Sequence, residues 1–95
     1  QKSLLQDQLN VQDEQLKFNL KNAMENYSLQ KENIDVATRV LKSYQRKYEL
    51  GAVSSLDLTQ ANNNYLQAET NYTEAVLILL QAQVSLEKLY NQLPR

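Results

Sequence analysis

The side chains that most often carry chemistry are missing or scattered in this 95-residue chain. It contains no histidine and no cysteine, which removes the commonest general base, the commonest metal ligand and any thiolate or disulfide chemistry. Asp13 and Glu14 are neighbours on a helical pattern and diverge, so they form no acid–base pair. Arg39, Lys42, Arg46 and Lys47 make a basic patch, but Glu32, Asp35 and Glu49 lie among them, and the stretch reads as a solvated helix face. Asn26-Tyr27-Ser28 and Asn71-Tyr72-Thr73 match the glycosylation sequon; both tyrosines fall on an apolar stripe, where packing accounts for them. No glycine-rich phosphate loop and no nucleophile–base constellation is present. An enzyme is therefore not expected, and neither is a cofactor or a metal. A formal net charge of -1 gives no general attraction to nucleic acid.

The elements that must position these residues are long helices. One Gly and one Pro are too little punctuation for a compact globule with several turns. In the first half, Leu16, Leu20, Ala23, Tyr27, Gln30, Ile34, Ala37, Leu41, Tyr44 and Tyr48 alternate at spacings of four and three, the rhythm of a coiled-coil seam. Only Gln30 breaks it. Upstream the stripe weakens to Leu9, Leu5 and Leu4, with Asp13 at an apolar position. In the second half the same rhythm runs without a break from Leu58 through Tyr65, Tyr72, Leu79 and Leu86 to Leu93. Between these large residues fall Ala61, Ala68, Ala75 and Ala82, one per heptad, and then Leu89. These small residues let a neighbouring helix approach closely.

The fold expected is all-α: an antiparallel coiled-coil hairpin with helices over about 2–50 and 55–92. Arm one is 1–50, the tip 51–54 and arm two 55–95. Arms of roughly 40–48 residues give a rod on the order of 60–70 Å long. A rod of two helices cannot surround all its apolar side chains. Val76, Leu77, Ile78 and Leu80 lie outside the seam, so lateral packing is expected to use them together with the alanine stripe. The longest apolar run, Ala75 to Leu80, is far short of the roughly 20 residues of a membrane helix. A chain opening on Gln1 reads as a piece of a longer protein.

At the centre, Gly51 suits the residue just past a helix end, where φ is positive. Ser54 or Ser55 can cap the next helix, and Ser54-Ser55-Leu56-Asp57 is close to a capping box with Asp in place of Glu. Leu50, Ala52, Val53 and Leu56 put apolar groups at the end of the rod, which invites a partner.

The stretch from Tyr48 to Ala61, Tyr-Glu-Leu-Gly-Ala-Val-Ser-Ser-Leu-Asp-Leu-Thr-Gln-Ala, resembles the tip of the TolC-like outer-membrane efflux proteins. The alanine-spaced continuation through Ala68, Ala75 and Ala82 to Leu86-Glu87-Lys88-Leu89 fits as well, and the resemblance covers nearly the whole chain. It implies a periplasmic hairpin, the second of two repeats, in a homotrimeric channel. The membrane is met only through a β-barrel part outside this piece. The implied partners are a periplasmic adaptor protein and an inner-membrane pump, with no nucleic acid. The resemblance further implies that Leu50, Gly51, Ala52, Val53 and Ser54 form the adaptor-docking tip. Asp57 and Tyr48 match entrance-narrowing positions of the family. Gln60 and Val53 replace a second entrance aspartate and a latch arginine, so a carboxylate ring and a charged latch are not carried over.

Two alternatives stand beside it. The hairpin of a periplasmic adaptor (membrane fusion) protein is also an antiparallel coiled coil, but its Arg…Leu…Ser contact motif fails here in both registers, with Lys47 and Ser43 or Tyr48 and Tyr44 in place of the leucine and arginine. A purely structural dimerising coiled coil would leave the lateral apolar residues and the apolar tip without a purpose.

Overall fold

The computed structural model describes the backbone of residues 2–92 and the side chains of residues 11–91; the expected stripe residues Leu4, Leu5, Leu9 and Leu93 lie outside the described side chains. Two helices, α1 (Lys2–Glu49) and α2 (Ser55–Gln92), are joined by a short turn, and the described residues contain no strand. The all-α antiparallel hairpin is thus observed, and the rod measures 74 × 16 × 15 Å. Its length follows from the 48 residues of α1 at about 1.5 Å each.

Every expected seam position from Leu16 to Tyr44 and from Leu58 to Leu89 is buried or half-buried. The fully buried residues are Ala23, Ala61, Ala75 and Leu89, and no large side chain is completely covered among the described residues. The alanine stripe therefore lies between the two arms and sets how closely they approach. A seam lined by small residues gives tight backbone contact but little apolar area, and area is what stabilises at roughly 25 cal/mol per Å². The rod is thin for that reason.

Tyr48, the last seam position of α1, is 46% exposed. The opposite arm begins only at Ser55, so little of α2 remains to cover it. Gln30, the break in the stripe, is half-buried. Its amide donates to Asn26 Oδ1 at 3.3 Å and accepts from Asn33 Nδ2 at 3.4 Å. The polar residue is thus tolerated because its own helix supplies partners on the flank of the seam.

Candidate functional site

The tip is built almost wholly from local hydrogen bonds. Gly51 has φ of 76°, the left-handed conformation that glycine adopts without steric cost. The Ala52 amide donates to the Lys47 carbonyl at 2.8 Å and the Gly51 amide to the Tyr48 carbonyl at 3.0 Å. This pair is the Schellman arrangement, and it satisfies carbonyls that the end of α1 would otherwise leave bare. Arg46 and Lys47 in the last turn complement the helix dipole.

Ser54, rather than Ser55, caps α2. Its Oγ accepts from the Asp57 amide at 3.1 Å, and Asp57 Oδ2 accepts from the Ser54 amide at 3.3 Å. The Ser54 carbonyl takes the first helical bond, from the Leu58 amide at 3.1 Å. This is the reciprocal capping box, closed by the shorter Asp. Val53 and Leu58 occupy the positions of a hydrophobic staple and both are half-buried. Val53 is therefore less exposed than Leu50 and Ala52 beside it. The uncovered apolar groups are Leu50 and Leu56, 78% and 73% exposed, with the small Ala52 beside them. Leu56 completes the tip surface; its signal in the sequence is its place on the side of α2 opposite the seam.

Along the shaft, Leu77, Ile78 and Leu80 are about half exposed, while Val76 is half-buried. Leu66 and Val84 extend this outward stripe on α2. A matching stripe on α1, absent from the sequence reading, consists of Val11, Phe18, Leu29, Val36 and Val40. It is visible in the sequence once residues that miss the seam are followed around the helix, because steps of 7, 11 and 4 return to nearly one face.

Within the seam, the Tyr27 and Tyr72 hydroxyls lie 3.4 Å apart and their rings 5.6 Å centre to centre, tilted by 37°. The bond from Tyr27 raises the Tyr72 pKa, with burial adding to it. At the end far from the tip, Asp13 takes a seam position and pairs with Lys17 at 3.0 Å. The Lys17 hydrogen bond holds the Asp13 carboxyl below its ordinary range, opposed by burial and assisted by Tyr90 from α2. Thr38, Thr59, Thr70 and Thr73 each donate to the carbonyl four residues back, so these hydroxyls serve their own helices.

Among the described residues, no group of His, Cys, Asp and Glu could hold a metal ion, and no helix is long and apolar enough to cross a membrane. Among the described residues, the arrangement offers uncovered apolar surfaces for contact. No curated protein and no solved structure matches the chain. The family model described as outer membrane efflux protein matches residues 3–92, which takes in both arms and the capped tip between them. Two heptad-repeat helices turning over at Gly51, with apolar stripes left open on both outer sides, are what that match spans, and the chain belongs to the outer membrane efflux protein family.

Proposed function

We propose that this hairpin is a periplasmic tunnel segment of a trimeric outer-membrane efflux channel, and that its tip docks a periplasmic adaptor protein. The adaptor joins the channel to an inner-membrane pump, and small molecules leave through the tunnel. The observation that carries this reading is the pairing of a rigid, fully capped tip with two uncovered leucines, Leu50 and Leu56. Apolar groups on a preformed surface lose little conformational freedom when a partner covers them. The outward stripes on α1 and α2 support side-by-side packing with neighbouring hairpins, which would supply the apolar burial that two helices lack.

Asp57 already serves its own helix start through the Ser54 amide, and Tyr48 is open to solvent beside the turn. Both sit close enough to the tip in sequence to narrow an entrance in the assembled channel.

The test is a pair of charged substitutions, Leu50→Glu and Leu56→Glu, in the full-length protein. Efflux falls to the level of a deletion while trimers persist on native gels. Full drug resistance in the double variant would remove the docking role. Loss of trimers would place these leucines in assembly instead.

A further inference from the structure

The two broad faces of the rod differ in charge. With the seam residues placed at heptad positions a and d, positions c and g fall on one flank of each helix, and b and e on the other. Antiparallel pairing brings like flanks together. An open groove of roughly 420 Å³ between the arms confirms this on one side: it is rimmed by Asn19, Asn22 and Asn26 from α1 and by Gln81 and Ser85 from α2. Its floor is made by the seam residues Leu16, Ala23 and Ala82, and the half-exposed Ile78 stands on the α2 rim. On the other side, Tyr90 of α2 lies beside Asp13 and Lys17 of α1.

The groove side is an amide face. From residue 12 to 43, the c and g positions of α1 carry no charge: they are Gln, Asn or Ser, except where Leu29, Val36 and Val40 of the outward stripe reach onto this flank. On α2 the flanks differ little: from residue 60 to 88 the groove side carries Glu74 and Lys88 and the opposite side Glu69 and Glu87, so the contrast is made by α1. Some of the amides bond to one another: Asn33 to Gln30 and Gln30 to Asn26 on α1, and Gln67 Nε2 to Asn71 Oδ1 at 3.1 Å on α2. The opposite face is charged and of both signs. It carries Glu14, Lys17, Lys21, Lys31, Asp35 and Lys42 on α1, with Glu69 and Glu87 on α2.

We infer that the amide face lines the conduit and the charged face looks out into the periplasm. The inference rests on the reading of the hairpin as a tunnel wall, since a wall has one inner and one outer face. Conduction requires that a permeating molecule bind weakly enough to leave, and fixed charges in a confined lumen hold ions of one sign and repel the other. Neutral amides carry no fixed charge and do neither. The groove adds an apolar floor between hydrogen-bonding rims, which suits neutral or amphipathic solutes of either charge sign. Mixed charge on the outer surface keeps the assembly soluble in bulk salt, where it is screened within about 10 Å.

The experiment reads ion selectivity of the full-length trimer in planar bilayers under a salt gradient. Asn22→Asp with Asn26→Asp places negative charge on the amide face; Lys21→Glu with Lys31→Glu alters the opposite face at nearly the same depth. The first pair raises the cation-to-anion permeability ratio by at least about twofold, and the second leaves it unchanged. Asn22→Lys with Asn26→Lys moves the ratio the other way, which separates charge from misfolding. A shift in the lysine pair with none in the asparagine pairs reverses the orientation, and equal shifts or none in either pair also overturn it. Both of those results leave the tunnel reading standing, because the unaltered trimer conducts. A trimer that forms no pore removes the tunnel reading first, and the inference with it.

Discussion

The tip and the shaft of this hairpin are held by different physics. From Arg46 to Leu58 every turn and cap is fixed by hydrogen bonds between residues close in sequence, and the leucines there are left bare. Along the shaft the arms meet through alanines, and among the described residues only Ala23, Ala61, Ala75 and Leu89 are buried. The tip is self-sufficient in geometry and short of cover. The shaft is close-packed at its centre line and short of buried area. This division suits the proposed function, in which a preformed end meets a partner and the sides are completed by neighbouring hairpins.

The comparison can be broken most sharply at Ala75, which is 1% exposed. Ala75→Leu forces the arms apart and costs about 1–3 kcal/mol by overpacking; thermal unfolding followed by circular dichroism reads the loss, and an unchanged midpoint would mean that the seam is not close-packed. Next comes Gly51→Ala. A Cβ there meets nothing within 4 Å, so the cost is backbone strain alone, about 1–2 kcal/mol for an L-residue at positive φ. Gly51→Asn should recover part of it, and equal midpoints for the two variants would show that φ is not the cause. Ser54→Ala removes the cap and costs about 1 kcal/mol in urea denaturation, whereas Ser55→Ala should be close to silent.

Leu50→Ser with Leu56→Ser should move stability by less than about 0.5 kcal/mol, since exposed positions carry little of the fold. A larger change would mean that the tip leucines support the hairpin rather than wait for a partner. The smallest effect is expected at Asp13. Its folded-state pKa is depressed, chiefly by the Lys17 hydrogen bond, so its contribution is present above about pH 4 and is lost as pH falls through the folded value. Acid titration of unfolding should show a shallower slope for Asp13→Asn than for the unaltered chain.

The sequence carries the architecture plainly because each signal is local and repeated. A seam of threes and fours names both helices, and one glycine followed by Ser-Ser-Leu-Asp names the turn. The choice of Ser54 over Ser55 needed the structure, because both spacings permit a cap. Gln30 read as a flaw in the stripe, since its bonds to Asn26 and Asn33 depend on rotamers. The half-burial of Val53 depends on how the chain folds back at the cap, which no local pattern fixes. The link from Asp13 to Tyr90 joins residues at opposite ends of the chain, and no short-range pattern announces it. The two unlike faces were within reach of the sequence, but they emerge only when both arms are numbered in one heptad frame and paired antiparallel. The proposed docking of an adaptor and lateral assembly would use surfaces that meet other molecules, and a single chain records only what it leaves open for them.

The capping network has a consequence for how the rod comes together. All its bonds close over short loops, so the ordering they demand is small and the turn can nucleate while most of the chain is still loose. Once it has, the arms can only zip outward from it. Two heptad-repeat strands free to slide would accept pairings offset by seven residues; a pre-set bend dictates which alanine meets which turn of the facing helix, and slipped registers never get the chance to compete.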